Sequence, residues 1–202
     1  MPGLHPTKRL LVMLGLPLAL IIALACNSVT EGLSSVLPNA PDCKSATDPT
    51  QRDVDYSLAF TGDTFKSKEW QRSYTVKSMR ASVSWMNDGT GSLAYLDYMI
   101  FSCGYTQKDI DRYFSAENFR DVFFVGYQNL QRVTTCTQAE DDLTLHEFTA
   151  EHLGEKYLIR DWIKLDTPTR VVDLVLVFPL TSKTQLDIYA RQIFPDLSTC
   201  QD

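Results

Sequence analysis

Two histidines frame the first stretch that could do chemistry, HEFTAEH from His146 to His152. A zinc protease motif requires two histidines four residues apart on a helix, so that both imidazoles reach one metal ion. Here the fourth position after His146 is Ala150, and the second histidine stands six residues on. The run alternates like a β-strand, in which the two histidines would share a face but lie roughly 20 Å apart. The spacing therefore predicts two strand-end histidines near a turn and no metal site.

Other patterns that carry catalysis are missing from the sequence. There is no Gly-x-Ser-x-Gly nucleophile motif and no Walker or dinucleotide glycine pattern, and Gly89-Thr90-Gly91 falls in a predicted turn. Glu147 and Glu151 share a strand face, but this spacing is common by chance. The sequence thus predicts no catalytic residue and no cofactor. An exported hydrolase with a site assembled around His146 or His152 is the alternative.

Five cysteines stand far apart in the chain: Cys26, Cys43, Cys103, Cys136 and Cys200. Their spacings match neither a zinc site nor a redox motif. An odd number in an exported protein leaves one thiol unpaired, whereas four cysteines make two disulfides in an oxidising compartment. Of the three pairings that are open once Cys26 is set aside, we predict Cys103–Cys136 and Cys43–Cys200.

The beginning of the chain has the composition of a secretory signal peptide. Lys8 and Arg9 form a positive n-region, and an uncharged apolar run of 16 residues follows from Leu10 to Ala25. Small side chains at Ala23 and Ala25 suit the cleft of a signal peptidase. The run is shorter than the roughly 20 residues that span a bilayer core, although a retained signal anchor is an open alternative.

The residues Ala23-Leu24-Ala25-Cys26 resemble the lipobox of bacterial lipoproteins, in which a small residue at the cut is followed at once by cysteine. The resemblance covers residues 8–26 and departs from the usual pattern at Ala23, where the lipobox usually has leucine. It implies cleavage between Ala25 and Cys26, a diacylglyceryl group on the Cys26 thiol, and an amino terminus open to acylation, for example by palmitate. Asn27 follows the cysteine, at a place where an aspartate would resemble an inner-membrane retention signal. The absence of that aspartate leaves the outer membrane open as a destination. An ordinary secretory cut that leaves Cys26 free is the alternative.

The segment from Asn27 to about Thr50 is rich in Ser, Thr, Asn and Pro and poor in aromatic residues. Such a composition buries too little surface to offset chain entropy, so it predicts a tether. The chain then divides into a signal peptide at 1–25, a lipid-anchored tether at 26–52, and a single disulfide-stapled domain at 53–202.

Alternating and helical patterns predict the elements of that domain. A β-hairpin is expected from a strand at Tyr74–Trp85, a turn around Asn87-Asp88-Gly89 and a strand at Leu93–Phe101. Helical spacing follows from Thr106 to near Gly126. Further strands are expected at Leu143–Ala150, Lys156–Leu165 and Arg170–Phe178, the last of them central and covered on both faces. Ser182 and Gln185 resemble a capping box for a final helix that stops at Pro195.

This order predicts an α+β fold, an antiparallel sheet with helices packed on it. The layout resembles the PsbP/Mog1-like α/β/α folds. Aromatic residues between Tyr95 and Tyr127 predict a packed core, with an aromatic-lined ligand pocket as the alternative. Arg160, Trp162 and Lys164 share one strand face, which predicts a cation–aromatic ladder or, alternatively, a partner-binding face.

Charge limits the partners of the domain. The formal net charge of the 202-residue chain is −6, and removal of a leader that contains Lys8 and Arg9 makes it −8. An acidic surface repels phosphate backbones, so nucleic acid is not an expected partner. The leading hypothesis is a lipoprotein anchored through Cys26 in the cell membrane or outer membrane, facing the periplasm or exterior. It would be a non-catalytic binding or envelope-assembly module, with the membrane and an envelope protein as partners.

Overall fold

The structure is a computed structural model that describes residues 49–77, 80–100, 104, 106 and 126–200. These residues all fall within one compact unit of the chain. The predicted signal peptide, the tether before residue 49, and most of the helix predicted after Thr106 lie outside the described residues. Cys26, Cys43 and Cys103 lie outside them as well.

Seven strands of the described chain form one antiparallel sheet. The bounds are Gln71–Lys77 (β1), Arg80–Asn87 (β2), Ser92–Ile100 (β3), Gln128–Gln138 (β4), Leu143–His152 (β5), Glu155–Thr167 (β6) and Arg170–Pro179 (β7). Their order across the sheet is β1-β2-β3-β7-β6-β5-β4, and each neighbouring pair is antiparallel. The predicted antiparallel sheet and the mixed α and β composition are confirmed.

Two α-helices flank this run of strands in the described sequence, α1 at Gln51–Ala59 and α2 at Lys183–Ile193. Short 3-10 turns occur at Ala139–Asp141, Leu180–Ser182 and Pro195–Leu197. A capping box begins α1, since the Thr50 backbone N–H donates to Asp53 at 2.9 Å and the Asp53 N–H donates to the Thr50 hydroxyl at 3.3 Å. None of the helices in the described residues is both long enough and apolar enough to cross a bilayer.

The predicted helix near the C-terminus exists and ends before Pro195, but its predicted capping box is wrong. Ser182 makes no side-chain hydrogen bond to the first turn of α2. Its backbone, at φ −104° and ψ 18°, lacks the extended geometry of an N-cap because the chain enters α2 from the 3-10 turn.

The predicted hairpin is confirmed as β2 and β3, but the single strand expected from Tyr74 to Trp85 is two strands. Lys77 and Arg80 are paired, so the chain reverses between them and β1 runs back along β2. Period-two alternation survives such a tight reversal, and the sequence there has no Gly, Asn or Pro to mark a turn. β4 was also missed, because this edge strand is mostly exposed and interrupted by two register shifts.

Hydrophobic clusters lie on both faces of the sheet. One face contributes Leu174, Leu176 and Phe178 to a cluster that also contains Leu186 and Ala190 of α2. The opposite face contributes residues such as Val171, Val175 and Ile163 to a second cluster. β7 lies between β3 and β6 and is buried from Val171 to Pro179. The prediction of a central strand covered on both faces is confirmed.

Candidate functional site

A row of polar side chains crosses one face of the sheet through six adjacent strands. From β2 to β4 its members are Ser82, Asp97, Asp173, Asp161, His146 and Thr135. Direct register pairs join Ser82 to Asp97 and Asp97 to Asp173 on one side of the row. On the other side, Asp161 is paired with His146 and His146 with Thr135. We call this set the polar row.

The three aspartates of the polar row are fully buried, with 0% of each residue exposed. The Ser82 hydroxyl donates to Asp97 at 2.5 Å. Burial raises the pKa of Asp161 well above its usual value, and the neighbouring carboxyl of Asp173 raises it further, while Arg132 acts in the opposite direction. A carboxyl in low dielectric beside a like charge retains its proton. The pair Asp161–Asp173 is therefore a place where the fold holds a buried proton.

His146 lies in the middle of β5, not near its end as predicted, and only 1% of it is exposed. Its Nδ1 is 2.8 Å from the hydroxyl of Thr135, and its Nε2 has no hydrogen-bond partner among the described residues. Burial lowers the pKa of His146 to about 4, and the charge of Arg132 contributes. The imidazole is therefore neutral at pH 7.

Thr135, His146 and Asp161 follow one another across three strands in the order of a nucleophile, a base and an acid. A working triad needs an ionised carboxylate that holds the imidazole and stabilises its cation. Asp161 has a raised pKa, its neighbour is the carboxyl of Asp173, and His146 Nε2 has no hydrogen-bond partner in the described structure. A histidine whose pKa is about 4 is also a weak base at neutral pH. These charge states do not favour nucleophilic catalysis.

His152 occupies a separate environment at the end of the same strand. Its Nδ1 is 3.1 Å from the carbonyl oxygen of Gly126, and its ring stacks on Tyr127 with centroids 4.8 Å apart. The HEFTAEH run is thus a strand, as predicted. Within the described residues, no group of three or more His, Cys, Asp or Glu side chains has the geometry to hold a metal ion.

The opposite face of the sheet carries an ionic contact between β5, β6 and α2. Arg160 is almost fully buried and binds Glu147 at 2.7 Å and Asp187 at 2.8 Å. Burial acts to raise the pKa of Asp187, but hydrogen bonds from Lys183 and Arg160 outweigh it and the pKa is lowered. Removal of one partner would leave a buried charge uncompensated.

The remaining members of the predicted Arg160–Trp162–Lys164 face also bind within the chain. The Trp162 indole stacks on Phe194, and its N–H donates to the carbonyl oxygen of Leu197 at 2.7 Å. The Lys164 ammonium donates to the carbonyl oxygen of Asp141 at 2.7 Å. Each of these side chains therefore binds a partner elsewhere in the chain. The predicted cation–aromatic ladder is not what the structure shows.

A disulfide joins Cys136 of β4 to Cys200. The predicted pairs Cys103–Cys136 and Cys43–Cys200 are therefore wrong. Cys200 pairs with Cys136 because the residues that follow α2 run along the sheet towards β4. Glu147 accepts hydrogen bonds there from the Thr199 hydroxyl at 3.3 Å and from the Cys200 N–H at 3.4 Å.

A cleft lies between α2 and the loop that follows α1, with a volume of about 730 Å³. Its apolar walls are Phe60, Tyr189 and Ile193, and its carboxylates are Asp63 and Glu69. Ala59, Gly62, three hydroxyl groups and one amide complete the lining, which includes no basic side chain among the described residues. The volume is in the range of small-molecule sites.

The structure brings together residues that sequence reasoning did not connect. Asp97, Asp161 and Asp173 each interrupt an apolar strand (LAYLDYMI, LIRDWI, VVDLVLVF), which was the available signal for buried carboxyls. The predicted lipidation and cleavage residues, Cys26 and Ala25, lie outside the described residues. No protein-family model matches this chain, and no curated protein matches it.

Proposed function

We propose that this protein is an exported lipoprotein whose folded domain is a non-catalytic binding or envelope-assembly module. Cys26 would carry the lipid and hold the domain at the cell membrane or outer membrane, facing the periplasm or exterior. The observation that supports export is the Cys136–Cys200 disulfide, because such bonds persist in oxidising compartments. It agrees with the signal-like leader of the sequence.

The cysteine count supports the anchor. With Cys136 and Cys200 bonded to each other, Cys26, Cys43 and Cys103 are left. If lipid occupies the Cys26 thiol, the other two can form a second disulfide and no thiol is left over. If Cys26 is free, one of the three has no partner within the chain. Diacylation together with an acylated amino terminus gives a stable anchor, whereas one chain gives a marginal one.

A binding role agrees better than catalysis with the groups described above. The three aspartates and the histidine of the polar row are buried, the histidine is neutral and one carboxyl keeps its proton, which suits a structural role. The cleft, in contrast, is open, has the volume of a ligand site, and includes neither histidine nor cysteine in its described lining. For the whole domain we propose helices packed on the sheet in a PsbP/Mog1-like layout, supported by the shared cluster of Leu186 and Ala190 with Phe178.

Detergent-phase partitioning after growth with labelled palmitate tests the anchor. The parent chain should enter the detergent phase with label, and Cys26→Ser should lose both properties. Cys43→Ser, a matched loss of one thiol from the same tether, should retain them. Unlabelled parent protein in the aqueous phase would contradict the proposal and favour a soluble secreted protein.

A further inference from the structure

The cleft between α2 and the loop after α1 has a wall built on a packed aromatic cluster. Tyr189 lines the cleft, and its ring packs on Phe65 and Trp70 with centroids 5.8 and 5.7 Å apart. Phe65 and Trp70 are themselves 5.0 Å apart and buried. Because these rings hold one another in place, the apolar wall exists before any ligand arrives, which lowers the cost of binding.

Turns in the loop bring its two carboxylates into the lining of the cleft. Gly62 adopts φ +52°, a left-handed conformation that suits glycine, and the Thr64 N–H donates to the carbonyl oxygen of Thr61 at 3.1 Å. The next turn, closed by the Lys66 N–H and the Asp63 carbonyl oxygen at 3.1 Å, leads towards Glu69. Asp63 and Glu69 are thus both presented to the cleft by the same loop.

Within the described residues, one weak ion pair offsets the charge of the lining. Lys66 binds Asp63 at 2.5 Å, but the two side chains are 73% and 86% exposed. An ion pair this exposed contributes little, so Lys66 does not close Asp63 to a ligand cation whose apolar body is held by the aromatic wall. Glu69 is exposed as well. Behind Tyr189, the indole N–H of Trp70 is buried and has no acceptor in the described structure.

We propose that this cleft binds a small organic cation, an ammonium or guanidinium group carried on an apolar body. The charged group would lie between Asp63 and Glu69, and the body against Phe60, Tyr189 and Ile193. The face of Tyr189 also attracts a cation. This inference rests on the binding role proposed above and names its ligand class, but it does not depend on the anchor at Cys26.

Titration calorimetry with two probes of similar shape tests the ligand class on the purified full chain. Phenethylammonium carries the charge, and 2-phenylethanol replaces it with a neutral hydroxyl. We expect saturable binding of phenethylammonium that is at least about tenfold tighter than that of 2-phenylethanol and that weakens with added salt. In the double variant Asp63→Asn, Glu69→Gln, the affinity for phenethylammonium should fall by about tenfold or more.

A matched control separates local charge from net charge. Asp55→Asn combined with Asp196→Asn removes two exposed carboxylates outside the cleft lining and should leave binding unchanged. Equal affinity for both probes, or an equal loss in the control variant, would overturn the cationic class while leaving a binding role. Absence of saturable heat with either probe up to about 5 mM would overturn the inference and remove the cleft as support for the proposed function.

Discussion

Replacement of Asp161 by asparagine should stabilise the protein at neutral pH. Asp161 is fully buried, and apart from the neighbouring carboxyl of Asp173 its oxygens have no hydrogen-bond partner in the described structure. Burial and the carboxyl of Asp173 raise its pKa in the folded state well above the value of 3.8 expected for the unfolded chain. The folded state therefore binds more protons than the unfolded state once the pH exceeds about 3.8, and the free energy of unfolding falls as the pH rises.

The size of this effect follows from linkage. One proton retained only by the folded state lowers the free energy of unfolding by about 1.4 kcal/mol for each pH unit, until the pH reaches the folded-state pKa. An asparagine side chain has nearly the same shape as the aspartate and no such dependence. The advantage of Asp161→Asn should therefore be small near pH 4 and grow at up to this slope above it. The titration belongs to the Asp161–Asp173 pair, because the two carboxyls are coupled.

His146 acts in the opposite direction over part of this range. Its pKa is about 4 in the folded state against 6.5 in the unfolded chain, so its contribution to stability is present above pH 6.5 and is lost as the pH falls towards 4. Between these values the two slopes oppose each other while Asp161 remains protonated. We therefore expect the parent protein to show a flatter pH dependence there than either single variant.

Urea unfolding followed by tryptophan fluorescence, repeated from pH 4 to pH 8 without reductant, measures both effects. Asp55→Asn is the matched control, since Asp55 is exposed on α1. A difference between Asp161→Asn and the parent that does not change with pH would refute the reasoning. Lower stability of Asp161→Asn than of the parent at pH 7 would also refute it.

Three further outcomes are expected. In the parent, His146 should lower the free energy of unfolding by about 3 kcal/mol as the pH falls from 6.5 to 4, and His146→Gln should not show this decrease in the same titration. A pH profile of the variant equal to that of the parent would contradict this. Replacement of both Cys136 and Cys200 by serine should lower the free energy of unfolding by about 4 kcal/mol, a value that follows from the 64-residue separation of the bonded cysteines. In this variant, the part of the reductant's effect on the free energy of unfolding that comes from the Cys136–Cys200 bond should be absent. Peptide mapping of the native protein without reductant should find Cys43 linked to Cys103, and free thiol at both positions would argue against it.

Strands with a buried face were the most predictable part of the fold. The hairpin of β2 and β3 and the strands β5, β6 and β7 all follow from alternation or from an apolar run. β4 was not predicted, because an exposed edge strand with bulges has little hydrophobic contrast. The boundary between β1 and β2 was missed because the pattern of alternation continues through a reversal whose sequence has no Gly, Asn, Asp or Pro.

The polar row could not be predicted, since its members are joined by register and not by sequence. Asp97 and Asp173 belong to strands far apart in the chain and become neighbours only when β7 inserts beside β3. The pairing of Cys136 with Cys200 likewise depends on how the residues after α2 lie on the sheet. Individual buried aspartates were detectable from their apolar surroundings, but their convergence was not.

Intact mass of the protein purified from its native membrane tests the central claim most directly. We expect a mature chain that begins at Cys26 and is heavier than its sequence by a diacylglyceryl group, with or without one further acyl chain. In Cys26→Ser this added mass should be absent. An unmodified mature chain in the parent, or an uncleaved leader, would contradict the lipoprotein proposal.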